Sequence, residues 1–136
     1  METTTNAQIV QGIYEALGRG DLAAVLSRVD ETSLWDFNVA RSEVPWHAPV
    51  RGHAAIGKFL GDFMESITLE AFEPRLFDAG DEVFALVHLA YIIKRTGRRV
   101  DQEQLQRWSL ANGRVTRLRH FEDTAQVIDA WRGAAP

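Results

Sequence analysis

Two side chains in this sequence have the chemical character and the neighbours that acid/base chemistry requires. His120 carries an imidazole, whose reference pKa of about 6.5 suits it to proton transfer near neutral pH. Asp36 stands between two aromatic residues, and burial beside their rings would make its carboxylate a stronger proton acceptor. Each has a plainer interpretation. His120 could simply be bonded to a neighbour such as Gln104, and Asp36 could be a strand-end residue that faces solvent.

The position of His120 depends on a β-hairpin whose turn is Asn112-Gly113, a pair typical of tight turns. A two-residue turn pairs residue 111 with 114 and places Trp108 opposite Arg117. A three-residue turn with a glycine bulge pairs 110 with 114 and places Gln104 opposite His120. We favour the second register because it collects opposite charges on the other face, where they can pair. A slip of one residue would exchange the two faces.

In the favoured register, one face of the hairpin carries three amides and an imidazole beside two apolar groups: Gln102, Gln104, Gln106, Trp108, Leu118 and His120. This set is too polar for plain packing under apolar helices, so a ligand or ordered water is expected to supply hydrogen-bond partners. The alternative is an exposed face with solvated glutamines. The predicted pocket walls are aromatic and comprise Trp35, Trp46, Phe59, Phe63, Tyr91 and Trp108, with Tyr14 as a further contact and His47 at the mouth.

The elements that must position these residues follow from the spacing of the apolar side chains. Helical spacing predicts helices near residues 6–17, 21–29, 54–67 and 125–131. Alternation of two predicts strands at 34–39, 69–78, 82–94, 98–110 and 114–122. Because the strands are largely segregated from the helices, we expect one α+β domain over residues 1–136, with an antiparallel sheet covered by helices on one face.

Composition excludes several classes of function. The chain of 136 residues has no cysteine, so disulfides, thiolate metal sites and a cysteine nucleophile are excluded. Its net charge of −4 argues against general affinity for nucleic acid or anionic membranes. No apolar run is long enough for a membrane helix, and the first residues lack the pattern of a signal peptide. No histidine pair has metal-ligand spacing, and no nucleotide-binding fingerprint is present. We therefore expect a cytoplasmic protein without metal or cofactor.

Four segments together resemble the SnoaL-like branch of the NTF2-like (ketosteroid isomerase-like) superfamily: IYEALGRGDLAAVLSRV, PVRGHAAIGKFL, TGR and ANGRVTRLRHFEDTAQVIDAW. The resemblance extends over nearly the whole chain. It implies a cone, in which a curved sheet wraps against three helices around an apolar pocket, and a homodimer formed through the outer sheet face. Similar folds serve isomerases, polyketide cyclases, epoxide hydrolases, dehydratases and non-catalytic modules, so fold alone does not fix the function.

The resemblance also suggests roles for individual residues. His120 stands where similar epoxide hydrolases and polyketide cyclases have an acid/base aspartate, and Asp36 stands near the general base of similar isomerases. Gln106 matches their oxyanion-stabilising acid, whereas Tyr14 is offset by one position from their tyrosine. The full isomerase set is therefore absent, and steroid isomerisation is not expected. The Arg-x-Asp pattern of the epoxide hydrolases is missing from the strand before the TGR turn.

Together these observations predict a small-molecule-binding protein that performs acid/base chemistry on a mostly apolar substrate bearing a carbonyl or hydroxyl group. His120 would move the proton with help from Asp36, and Gln104 or Gln106 would hold the polar group. The reaction would be an isomerisation, cyclisation, dehydration or hydrolysis. The alternative is a non-catalytic ligand-binding or assembly module with the same fold.

Overall fold

The computed structural model describes residues 4–133, and this part of the chain forms four helices and one six-stranded sheet. The helices are α1 (Asn6–Gly18), α2 (Leu22–Leu26), α3 (His53–Ser66) and α4 (Thr124–Arg132). The strands are β1 (Val29–Phe37), β2 (Val50–Arg51), β3 (Ile67–Ala79), β4 (Glu82–Ile93), β5 (Arg98–Ala111) and β6 (Arg114–Phe121). The predicted α+β cone is confirmed: the sheet is curved but not closed, and helices pack against it.

The strands lie in the order β2-β1-β6-β5-β4-β3. All neighbouring pairs are antiparallel except β1 and β6, which run parallel, so the expectation of a wholly antiparallel sheet is wrong at that pair. Strand β1 pairs with β6 of the β5–β6 hairpin, so the inner face of the hairpin continues onto β1. As a result, the aromatic residues of β1 lie beside His120 and Leu118, far from them in sequence.

The first two helices form the expected hairpin, but the second is shorter than predicted. Thr5 caps α1 through a capping box with Gln8, which satisfies two backbone N–H groups at the helix start. Helix α2 ends at Leu26, and Val29 already belongs to β1, where it pairs with Val115 and is fully buried. Strand β1 therefore begins five residues earlier than its aromatic segment suggests, because pairing with β6 outweighs the helical spacing of Val29.

The β5–β6 hairpin has a register that neither sequence alternative describes in full. Asn112 and Gly113 both have positive φ, 52° and 76°, and form a two-residue turn that pairs Ala111 with Arg114. A bulge then shifts the register between Ser109 and Leu110, so that Trp108 lies opposite Leu118 and Gln106 opposite His120. The favoured pairing of Gln104 with His120 was therefore wrong.

The assignment of faces nevertheless agrees with the favoured register. The bulge inserts one residue, Thr116, and a one-residue insertion has the same effect on side-chain alternation as the longer turn. The even-numbered residues of both strands consequently share the inner face beyond the bulge.

Among residues 4–133, no helix is long and apolar enough to cross a membrane.

Candidate functional site

A cavity of about 460 Å³ lies between the inner face of the sheet and helices α1 and α3. Its volume is within the usual range for sites that bind small organic molecules. The lining is mostly aromatic and aliphatic, and the polar groups are few. Helix α3 contributes Phe59, Leu60, Phe63 and Met64, and strand β3 contributes Leu69, Phe72 and Pro74. Met64, Leu69 and Phe72 are also exposed to solvent, as are the lining residues Gln11, Glu15 and Gly18 of α1. The cavity is therefore open to solvent on the side where α1, α3 and β3 meet.

Most of the residues expected around a pocket line this cavity. They are Tyr14, Trp35, Trp46, Phe59, Phe63, Tyr91, Gln104, Gln106, Trp108, Leu118 and His120. Within the aromatic group the rings pack mainly edge to face, as in the contact of Trp35 with Trp108 at 5.6 Å between centroids. Asp36, His47 and Gln102 do not line it, and each has a different structural reason.

The polar groups from α1 and β5 form a buried chain of hydrogen bonds. The indole N–H of Trp108 donates to the Tyr14 hydroxyl at 3.0 Å, and that hydroxyl donates to Gln106 Oε1 at 2.6 Å. The Gln106 amide then donates to Gln104 Oε1 at 2.7 Å. Burial raises the pKa of the Tyr14 phenol, so the hydroxyl remains a donor. The chain fixes both glutamines and leaves the amide nitrogen of Gln104 as its free end.

The one-residue offset of Tyr14 does not keep it out of the cavity. Ile13 and Tyr14 are both buried, because α1 presents a broad face to the sheet. The side chain of Tyr14 is long enough to reach Gln106 from its own position. The contact between these two groups is between a phenol and an amide.

His120 lines the cavity from β6 in a fixed tautomer. Its Nδ1 lies 3.0 Å from the backbone oxygen of Asp36, and since a carbonyl only accepts, Nδ1 carries the proton. The ring stacks on Phe37 with 4.1 Å between centroids and an interplanar angle of 10°. Nε2 is thus an unprotonated acceptor available to a ligand. Burial lowers the pKa of His120 to about 4, so the imidazole is neutral at pH 7.

Asp36 is on the other side of the sheet from His120. Its neighbour across the parallel pair is Arg119, and its carboxylate lies 3.1 Å from Arg117 and 3.8 Å from Arg119 on the outer face. Alternation along β1 sends Trp35 and Phe37 into the cavity and Asp36 away from it. The expected cooperation of the two side chains in proton transfer is therefore wrong. The backbone of Asp36, not its carboxylate, is what His120 contacts.

Gln102 lies on the predicted face of β5, but its side chain bonds to other residues of the protein. Its Oε1 accepts from the backbone N–H of Asp123 at 2.8 Å, and its amide donates to Gln126 Oε1 at 2.8 Å. These bonds attach the start of α4 to β5, and Asp123 caps that helix by accepting from Gln126 N. The expectation that Gln102 contacts a ligand was wrong because the first part of β5 lies against the start of α4 instead of facing the cavity.

His47 is not at the cavity mouth as expected but is buried behind the cavity wall, 4% exposed. Its Nδ1 lies 2.6 Å from Ser42 Oγ, and its ring packs against Phe37 with 5.0 Å between centroids. Its Nε2 lies 3.4 Å from Glu122 Oε1. The turn at Pro45–His47 directs the imidazole inward, which the prolines and polar residues of this loop did not suggest.

Among the lining residues that the sequence analysis did not include are Phe37 and Glu122. Both line the cavity. Alternation along the strands contained the signal for each, since Phe37 is two residues from Trp35 and Glu122 is two residues from His120. Glu122 follows the last residue of β6, and its side chain is only 2% exposed. Within the described ranges, no group of three or more histidine and acidic side chains could hold a metal ion.

Comparison with known proteins agrees with this architecture. The chain aligns with an NTF2-like protein from Burkholderia xenovorans at 27% identity and a TM-score of 0.86, covering 96% of this chain and 98% of the other. A proposed isomerase from Bacillus subtilis aligns at 22% identity and a TM-score of 0.76, covering 95% and 94%. A SnoaL-like protein from Mesorhizobium loti, described as a polyketide cyclase, aligns at 19% identity and 0.70, covering 85% and 97%.

At identities below 25%, such alignments show the fold alone. No functionally curated protein matches the sequence. The model of the SnoaL-like domain matches residues 10–118, which include most of α1, all of α3 and β5, and β6 as far as Leu118. This chain therefore belongs to the SnoaL-like family of the NTF2-like fold.

Proposed function

We propose that this protein binds a small, mostly apolar molecule bearing a carbonyl or hydroxyl group and performs acid/base chemistry on it without a cofactor. The observation on which the proposal depends is the pairing of one acceptor with one donor in an apolar cavity. His120 offers the lone pair of Nε2, and Gln104 offers the free amide N–H at the end of the buried chain. A ligand that presents a hydroxyl to the first and a carbonyl to the second would satisfy both.

The apolar lining strengthens these two contacts. Hydrogen bonds are worth more in a medium of low dielectric constant, and an unsatisfied polar group there costs more than it does in water. The cavity therefore selects for ligands whose polar atoms match His120 and Gln104 in position. The class of reaction that fits such a site is isomerisation, cyclisation, dehydration or hydrolysis, as in the related folds described as isomerase and polyketide cyclase.

The second candidate is a non-catalytic ligand-binding module, and one observation favours it. An imidazole with a pKa of about 4 is a weak base at neutral pH, although it remains a good hydrogen-bond acceptor. His120 alone would then orient a ligand without removing a proton from it. The two candidates share the same ligand contacts and differ only in whether a proton is transferred in the cavity.

Binding is tested with three probes of one shape: 2-acetylnaphthalene, 2-naphthol and 2-ethylnaphthalene. Quenching of tryptophan fluorescence reports binding, because Trp35, Trp46 and Trp108 line the cavity. One net hydrogen bond of about 1 kcal/mol gives the ketone and the alcohol about fivefold higher affinity than the hydrocarbon. Gln104→Leu should remove the advantage of the ketone, and His120→Phe should remove that of the alcohol.

A matched control is His88→Asn, which changes an exposed imidazole bonded to Glu73 and Asp101 on the outer sheet face. It should leave all three affinities unchanged. Equal affinities of the three probes for the wild-type protein would show that the cavity does not recognise a carbonyl or hydroxyl group, and the proposal would then be abandoned.

A further inference from the structure

We propose that Glu122, held by His47, is the group that accepts a proton from a ligand in the cavity. This inference rests on the proposed function, since it supplies the base that acid/base chemistry in this cavity needs. Glu122 lines the cavity, and its side chain is 2% exposed, which makes it a carboxylate within an apolar enclosure. It was absent from the residues singled out in the sequence.

The contact between the two side chains requires a proton. His47 Nε2 and Glu122 Oε1 are 3.4 Å apart, and neither atom has a hydrogen-bond partner elsewhere in residues 4–133. Two lone pairs facing each other at this distance in a buried site would be strongly unfavourable. A proton on Nε2 removes the conflict, and a neutral imidazole supplies it: Nε2–H points at Oε1 of a Glu122 carboxylate, and Nδ1 accepts from the Ser42 hydroxyl. His47 therefore orients the Glu122 carboxylate and leaves it able to accept a proton from a ligand.

The far side of His47 leads to solvent. Its Nδ1 lies 2.6 Å from Ser42 Oγ, and Ser42 is exposed at the surface. The backbone N–H of Val44 also donates to this hydroxyl at 3.0 Å, which fixes its position. Ser42, His47 and Glu122 thus form a continuous path from the surface to the cavity. Because the hydroxyl of Ser42 can donate its own proton to Nδ1, the imidazole keeps its proton on Nε2, where it faces Glu122.

The other ionisable groups around this pair do not compete for the role. Tyr91 faces Glu122, and burial together with the charge of Glu122 raises the pKa of its phenol, so it remains protonated. His120 is neutral and its Nδ1 proton is held by a backbone carbonyl. Glu15 also lines the cavity but is exposed to solvent, so Glu122 is the buried carboxylate that faces a bound ligand, and His120 is left to orient that ligand.

The test uses 5-nitrobenzisoxazole, a bicyclic carbon acid of a size that this cavity admits. A base removes the proton from C3, the N–O bond breaks, and its electron pair goes to oxygen. The product is 2-cyano-4-nitrophenolate, which is followed by its visible absorbance, and the proton remains on the base. The reaction needs no oxidant or cofactor. We expect the wild-type protein to accelerate it, and Glu122→Gln to reduce kcat/KM at least about 100-fold.

The role of His47 needs a readout that a purely structural contact would not change. In the wild-type protein, NMR should detect a ring N–H proton on His47 Nε2, shifted downfield by the charge-assisted bond to Glu122. In Glu122→Gln this proton should move upfield, because the amide accepts a weaker bond. The His88→Asn variant should change neither the elimination rate nor the His47 signal. The NMR experiment on the wild-type protein alone still tests the pair if Glu122→Gln does not fold.

The outcomes separate this inference from the proposed function. If the naphthalene probes bind as predicted but Glu122→Gln retains full elimination activity, the cavity binds ligands and Glu122 is not its base. Loss of elimination in His120→Gln with full activity in Glu122→Gln would assign the base to His120 and overturn the inference. A His47 ring signal that is the same in wild type and Glu122→Gln would overturn the proposed pair.

Discussion

Replacing His120 by phenylalanine should make the stability of this protein less sensitive to acid. Phenylalanine keeps a ring of similar size stacked on Phe37 but cannot titrate. Burial lowers the pKa of His120 from its ordinary value of 6.5 to about 4 in the folded protein. The unfolded chain therefore binds a proton on this residue over a pH range in which the folded chain does not.

The sign and size of the effect follow from this difference. Stability rises with pH wherever the unfolded state binds more protons, so the contribution of His120 is fully present above pH 6.5 and is lost as pH falls towards 4. A shift of about 2.5 units corresponds to about 3 kcal/mol in total, of which about 2 kcal/mol is lost by pH 5. These are large fractions of a typical unfolding free energy.

The measurement is urea unfolding followed by tryptophan fluorescence, from pH 7.5 to pH 5, for wild type and His120→Phe. At pH 7.5 the variant should be about 1 kcal/mol less stable, because the Nδ1–H bond to the Asp36 carbonyl is lost. As pH falls to 5, the wild type should lose about 2 kcal/mol more than the variant does. Taking the difference between the two proteins removes the contribution of every other titrating group.

His88→Asn provides a control of opposite sign. Hydrogen bonds to Glu73 and Asp101 raise the pKa of His88 in the folded protein. Its contribution is therefore present below pH 6.5 and is lost as pH rises through the raised value. The gap between wild type and His88→Asn should widen on acidification. A constant gap between wild type and His120→Phe from pH 7.5 to 5 would refute the reasoning, since it would mean that the imidazole titrates as it does in water.

Three further predictions concern other parts of the structure. Tyr14→Phe should destabilise the protein by about 1–3 kcal/mol in urea unfolding, because the Trp108 indole N–H and a glutamine oxygen lose their buried partner; an unchanged midpoint would contradict the hydrogen-bond chain. Gln102→Leu should increase amide hydrogen exchange in α4 without changing probe affinity, and weaker binding of the probes would place Gln102 in the site after all. Asp36→Asn should lower stability but leave probe affinity unchanged, because the carboxylate pairs with Arg117 on the outer face; loss of binding would contradict that assignment.

The sequence predicted the elements well where local patterns and tertiary packing agree. The apolar side chains of α3 recur at helical spacing, and those of β4 recur at every second position. Both patterns arise because the side chains pack against one core, and both elements occur where expected. Secondary structure was predicted less well where pairing with a residue distant in sequence determines it. Val29 fits the apolar stripe of a helix, but pairing with Val115 draws it into β1, and nothing in the neighbouring residues indicates that partner.

The hairpin illustrates how a face can be predicted without its register. Gly113 and Asn112 specify the turn, but the bulge at Thr116 depends on twist and packing of the completed sheet. Side-chain alternation has a period of two, so any even shift gives the same inner face. Gln104, Gln106 and His120 were therefore assigned to the inner face for a reason that holds, although their opposite partners differ.

The candidate site was predictable along strands and not in loops. Alternation fixes the direction of a side chain from that of its neighbour two residues away. The predicted strand 114–122 already contained Glu122, so alternation from His120 would have placed it on the inner face, although the observed strand ends at Phe121. His47 belongs to a loop, where no periodicity relates it to anything. Only the folded chain shows that its imidazole lies between Ser42 and Glu122.

The separation of polar groups within the cavity limits what chemistry it can support. His120 and Gln104 can bind the two ends of a polar function, but neither is a strong base at pH 7. Glu122 is a buried carboxylate that faces the cavity, and His47 holds it in position. If orientation and proton transfer reside on different side chains, removing His120 should chiefly raise the KM for 5-nitrobenzisoxazole elimination, whereas removing the Glu122 carboxylate should chiefly lower kcat. Equal effects on both parameters in both variants would show that the two groups act as one unit.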